Sequence, residues 1–210
     1  MEDILDLYCL PYDPTIPLVC MDEQPRQLIK GTRKPLPAVP GRPQRVDYEY
    51  ERNGTANIFL FVEPPLWRGW RHVSVRERRT SVDWAHEIQE LLEVHYPKAP
   101  LVRLVCDNLN THKIGSLYEA LQPKQARLLA KRLDIHYTPK HGSWLNIAEI
   151  ELSALSRQCL KRRIPDMSTL RSETHTWGQT RNEKQKGVDW QFTTKDARIK
   201  LKNLYPQVQT

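Results

Sequence analysis

Three acidic residues, each at the edge of an apolar segment, offer the most definite chemistry in this sequence: Asp22 in Leu-Val-Cys-Met-Asp-Glu, Asp107 in Leu-Val-Cys-Asp-Asn, and Glu149 in Trp-Leu-Asn-Ile-Ala-Glu. Carboxylates gathered by a fold repel one another and call for a compensating cation, and oxygen-only ligands suit Mg²⁺ or Mn²⁺. Two strand-end aspartates and one helix-borne glutamate can flank two such ions about 3.5–4 Å apart, the arrangement that serves an in-line phosphoryl displacement. One ion would activate a water or a DNA 3′-hydroxyl, and the other would stabilise the departing oxyanion. The expected chemistry is phosphodiester cleavage without a covalent enzyme intermediate. The plainer reading is that acidic residues often just end strands and begin loops.

Glu149 has a rival by position. On a helical wheel Trp144, Leu145, Ala148, Leu152, Leu155 and Cys159 form an apolar arc, with Glu149 at one border and Glu151 at the other. Periodicity alone does not choose between them. His112, five residues after Asp107, can orient that carboxylate or approach a bound phosphate, or it can cap the next helix. Asn108 can position a phosphate or hold the strand-end turn, and Asn110 reads better as a turn residue. Lys140 and His141, in Tyr-Thr-Pro-Lys-His-Gly-Ser-Trp, are placed to grip DNA near the scissile phosphate. The alternative is a loop leading into a helix, and Trp144 itself reads as a core residue.

These residues need elements to position them. Residues 1–16 form an amphipathic, proline-broken lead that reads as linker-like. Leu18 to Met21 is a continuous apolar run, expected of a buried strand that Asp22 closes. Residues 30–45 interleave four prolines with basic residues and predict an extended basic loop, whose Lys34 and Arg42 are candidates for DNA contact. Asn53-Gly54, between the alternating run Val46 to Tyr50 and the apolar run Ile58 to Val62, predicts a β-hairpin turn. A strand from Trp70 to Glu77 alternates so that one face is expected to be solvated. Ser81 is the expected N-cap of a helix running to Tyr96, and Leu101 to Cys106 returns to a buried strand. Helices over 114–121 and 123–133, a strand at Ile135 to Tyr137 and a helix from Trp144 to about Leu160, capped by Ser143, complete the order. That order predicts an α/β fold, a mixed sheet covered by helices in a ribonuclease H-like layout. It divides as the lead, a catalytic domain at 17–164, and a basic helical extension at 165–210 packed on the same domain.

Composition agrees. The 210 residues are enough for one α/β domain with a real core, and the charge of +7, from 32 Lys and Arg against 25 Asp and Glu, favours a polyanionic partner. The four cysteines form no CxxC pair and, with the histidines, show no zinc-ligand spacing. No apolar run reaches membrane-spanning length and no signal pattern begins the chain, so a soluble, cytoplasmic protein is expected.

Four stretches in order, Cys-Met-Asp-Glu, Arg-Asn-Gly-Thr-Ala-Asn, Cys-Asp-Asn-Leu-Asn-Thr-His and Tyr-Thr-Pro-Lys-His-Gly-Ser-Trp-Leu-Asn-Ile-Ala-Glu, resemble the DDE transposases of bacterial insertion sequence 630 elements, relatives of the mariner superfamily. The likeness spans roughly residues 15–205. It implies a ribonuclease H-like core that binds two Mg²⁺ ions, for which Mn²⁺ can substitute. Such a core cuts double-stranded DNA at transposon ends and joins the 3′-hydroxyl to target DNA, commonly at TA. It also selects Glu149 over Glu151, because the family's third acid follows the Leu-Asn pair. Synapsis of two ends implies a homodimer. Such transposases usually begin with helix-turn-helix modules, for which there is no room before Asp22, so a separate polypeptide is expected to read the ends. An inactive DNA-binding remnant and a simple metal-dependent DNA endonuclease are the competing readings.

Overall fold

The computed structural model describes residues 1–64, 69–185 and 190–205. Five strands, β1 (Leu18–Gly31), β2 (Tyr50–Val62), β3 (Arg71–Arg76), β4 (Val102–Cys106) and β5 (Leu133–Tyr137), form one mixed sheet in the order β3-β2-β1-β4-β5. The first three make an antiparallel meander, while β4 and β5 join in parallel. Seven helices are seen among the described residues: α1 (Glu2–Tyr8), α2 (Ser81–Glu90), α3 (Ile114–Ala120), α4 (Pro123–Ala130), α5 (Ile147–Gln158), α6 (Met167–Lys184) and α7 (Thr194–Lys200).

Side-chain alternation explains why both faces are covered. Leu18 and Cys20 of β1, Leu60 of β2 and Val105 of β4 point to a core shared with α1, α5, α6 and α7. Val19, Met21, Phe59, Phe61, Leu104 and Cys106 point to the opposite core, closed by α2, α3 and α4. The face of β3 expected to be solvated is covered as well, because Ser74 and Arg76 both bond to the buried Glu87 of α2.

Several local expectations are corrected. The lead is no linker: Ile4, Leu5, Leu7 and Tyr8 of α1 are buried, and the Tyr8 hydroxyl donates to the Leu145 carbonyl at 2.6 Å. Asp22 does not close its strand. Although β1 is paired with β4 only at Leu18 to Cys20, it remains paired with β2 as far as Gly31, and its free edge there tolerates Pro25. Asn53-Gly54 is not a hairpin turn but a bulge inside β2. Gln27 faces Thr55 and Ile29 faces Arg52, so the two residues lie opposite Leu28 alone, with Gly54 at φ +83°. The β1–β2 connection is instead the basic loop, which bends back through bridges between Leu36 and Arg45 and between Val39 and Arg42.

The cap of α2 is Thr80, in a capping box with Asp83, rather than Ser81. After Glu90 the chain widens into a π-helical turn, Leu91–His95. Parts of the C-terminal extension, 186–189 and 206–210, lie outside the described residues. Among the described residues no helix is long and apolar enough to cross a membrane.

Candidate active site

The parallel pairing of β1 with β4 sets two of the three acids side by side. Leu18 faces Arg103 and Cys20 faces Val105; continuing that register puts Asp22 beside Asp107, just past the end of β4. Asp22 follows the α5-side alternation of Cys20.

The third acid comes from α5. The expected helix from Trp144 is divided: Ser143–Leu145 is a 3₁₀ turn, and Asn146, not Ser143, caps α5. The Asn146 Oδ1 accepts from the Ala148 N–H at 3.1 Å, while its Nδ2 donates to the Met21 carbonyl at 2.8 Å. One buried amide thus caps the helix and ties it to the residue before Asp22. Glu149 falls in the first helical turn, where a carboxylate suits the helix dipole. Asp22 and Glu149 line one open cleft of 420 Å³ with Gln24, Ser153 and Ser156.

Burial pushes the Asp22 carboxyl up to about 7. The Glu23 N–H, donating at 2.7 Å, opposes that rise, and the charges of Asp107, Glu149 and Glu23 add to it. The three site carboxylates are not among the groups of described residues whose ligand atoms all lie within 4.8 Å of one another. The donor set is all oxygen, and Asp22 carries a charge penalty that a cation would relieve. These features fit a hard divalent ion.

His112 is wholly buried beneath this cluster. Its Nδ1 lies 2.5 Å from Asp107 Oδ1 and 3.2 Å from the Asp107 carbonyl oxygen, and its Nε2 lies 3.6 Å from Glu23. Burial alone would depress the imidazolium, but Asp107, Cys106 and Glu23 together raise it to about 11. The ring is stacked on Trp84, and its own carbonyl accepts from the Tyr137 hydroxyl at 2.7 Å. The cap position of α3 belongs to Lys113, so His112 does not serve that helix. Asn108 and Asn110 are exposed, and Asn110 accepts from the Lys113 ammonium at 3.1 Å.

Glu151 is committed elsewhere. It is buried, takes two hydrogen bonds from Arg71 at 2.7 and 3.0 Å, and a third from Arg181 at 2.8 Å. Glu149 has no ion pair among the described residues.

The candidate DNA contacts separate. Lys34 lines a groove of 790 Å³ together with Arg33, Lys161, Arg162 and Arg163, whereas Arg42 is exposed outside it, at the tip of the basic loop. Lys140 and His141 are exposed in the turn before α5, His141 at φ 64°. A Cβ on Gly142 would stand 2.5 Å from Pro139 Cγ, so glycine is required where this turn closes. Trp144, expected in the core, is 40% exposed and stacks on Trp190 at 6.5 Å, with Phe192 edge-on at 5.7 Å.

Sequence reasoning missed Asn146, Glu23 and the basic cluster at 161–163. The Leu-Asn pair before the glutamate was the available sign of Asn146, since asparagine ahead of an apolar helical run is a cap signal. The Lys-Arg-Arg run after α5 was the sign of the groove.

Residues 17–171 match the family model described as DDE superfamily endonuclease. No curated protein matches the chain. Among solved structures, the Mos1 strand transfer complex is similar at a TM-score of 0.58 and 15% identity, covering 87% of this chain and 53% of that one. The Mos1 mariner paired end complex with Mn gives 0.55 at 14%, over 88% and 54%. The Mos1 transposase paired-end complex with left transposon end gives 0.55 at 13%, over 88% and 59%. The chain therefore spans little more than half the length of these proteins, with which it shares a ribonuclease H-like fold, a mixed sheet flanked by helices.

Proposed function

Because the chain belongs to the DDE superfamily endonucleases, we propose that it is the catalytic core of a transposase of the insertion sequence 630 group. Its reaction is cleavage of DNA at transposon ends and joining of the freed 3′-hydroxyl to target DNA. The observation that carries this reading is the β1–β4 register, which sets Asp22 beside Asp107 under a helix whose first turn holds Glu149.

Asp22, Asp107 and Glu149 would hold two Mg²⁺ ions, or Mn²⁺ in their place. When bound, these ions acidify the attacking hydroxyl and stabilise the leaving oxyanion. The protein's own part is to hold the ligands. His112 fixes Asp107 from below as a cation, Asn146 fixes the approach of Glu149, and the Glu23 N–H orients Asp22. Lys34 and the Arg162–Arg163 groove would bind the DNA backbone, with Lys140, His141 and Arg42 as further phosphate contacts. The two ends would be held together in a homodimeric synaptic complex. The Mos1 structures are described as paired-end and strand-transfer complexes, which supports an assembly of that kind.

The test is strand transfer of a pre-cleaved oligonucleotide bearing a terminal 3′-hydroxyl. Joined product in Mg²⁺ is expected. Hydrolysis without joining would identify a simple endonuclease, and neither activity would identify an inactive remnant.

A further inference from the structure

A second ligand cluster lies on the opposite sheet face from Asp22, at the β3 edge. His72 of β3, Glu90 at the end of α2 and His95 at the end of the π-helical turn offer two imidazole nitrogens and a carboxylate oxygen, all within 4.8 Å of one another. From Glu90 Oε1, His72 Nε2 is 3.4 Å away and His95 Nε2 is 3.7 Å away. Ligand atoms about 2.0–2.1 Å from a tetrahedral Zn²⁺ are separated by about 3.3 Å, so the cluster is close to ligation geometry without a shift of backbone.

Both Nε2 atoms are buried and make no hydrogen bond. Stacking accounts for the rings but not for these nitrogens: the Trp70 ring is parallel to His72 at 6.1 Å, His95 lies 4.8 Å from Trp70, and the two imidazoles are 4.3 Å apart. Burial lowers both imidazoles below the ordinary histidine value, which keeps them neutral and able to ligate. The π-helical turn has a part as well. Its i to i+5 bonding, seen in Tyr96 N–H to the Leu91 carbonyl at 2.9 Å, turns His95 back toward Glu90, and such insertions gather at functional positions. Glu90 is 39% exposed, leaving a path for the ion and room for water as a fourth ligand.

We propose that His72, Glu90 and His95 bind a transition-metal ion of the Zn²⁺ type, separate from the carboxylate site. Two nitrogens and one oxygen favour Zn²⁺ over Mg²⁺, which prefers oxygen ligands. The ion would clamp the π-helical turn to the β3 edge.

The experiment is Zn²⁺ titration of the metal-stripped full chain in millimolar Mg²⁺, which competes for the carboxylate site. One equivalent is expected to bind, and Co²⁺ in its place should give the visible absorption of a four- or five-coordinate site containing nitrogen. His72→Gln, His95→Gln and Glu90→Gln should each weaken binding at least tenfold, with circular dichroism like that of the parent. X-ray absorption of the Zn²⁺-loaded parent, which needs no variant, should show two imidazoles. Absence of uptake, uptake unaltered by the histidine variants, or an absorption spectrum without imidazole would each overturn the proposal.

Discussion

The side chain of Asn146 donates to the Met21 carbonyl at 2.8 Å while it caps α5, so the elements carrying Glu149 and Asp22 are joined by one buried amide. Loss of a cap costs about 1 kcal/mol, and an unsatisfied buried carbonyl about 1–3 kcal/mol. Asn146→Ala should therefore lose about 2–4 kcal/mol in urea denaturation and should cut strands far more slowly.

Asp22 makes the metal-free protein sensitive to pH. Its folded pKa, about 7, lies above the ordinary 3.8, so the folded state binds more protons than the unfolded state between those values. Stability then falls as pH rises through that window, by about 4 kcal/mol in all. Denaturation in chelator at pH 5 and pH 6.5, below the range where the raised His112 adds its own fall, should show part of it, and Asp22→Asn should remove most of that difference while abolishing cleavage. A variant with the parental slope would refute the assignment of the penalty to Asp22.

Glu149 and Glu151 should part company under the same substitution. Glu151→Gln breaks a buried ion cluster with Arg71 and Arg181 and should cost about 3–5 kcal/mol. Glu149→Gln should change stability by less than about 0.5 kcal/mol and eliminate Mg²⁺-dependent cleavage. Thermal melts and a nicking assay on both variants separate the roles.

The basic groove should reveal itself through salt. Lys34→Ala should weaken DNA binding for all sequences alike and reduce the slope of log K against log salt by about 1. The unmodified chain should show little preference for any terminal sequence at moderate salt. Binding isotherms on terminal-repeat and random duplexes check both points.

Much of this was legible in the residues. The apolar runs before Asp22 and Asp107 marked β1 and β4 because strands buried on both faces leave an uninterrupted signature. What could not be read was tertiary. Asn-Gly supplies a positive φ equally to a hairpin turn and to a bulge, and only the partner strand decides, as Gly54 shows. Glu149 and Glu151 were equivalent on a helical wheel, and distant arginines, Arg71 and Arg181, separate them. Trp144 looked like core by its size, yet its partners, Trp190 and Phe192, come from far along the chain and leave it partly exposed. The short α1 looked like a broken lead because its apolar face is covered by elements at the other end of the sequence, including α7.

The most direct measurement is cleavage of duplex DNA by Asp107→Asn in Mg²⁺, with DNA affinity measured on the same preparation. The Asp22–Asp107–Glu149 site predicts strand cutting reduced to background, with affinity within about threefold of the parent, since the proposed phosphate contacts lie elsewhere. Parental cleavage rates in that variant would contradict it.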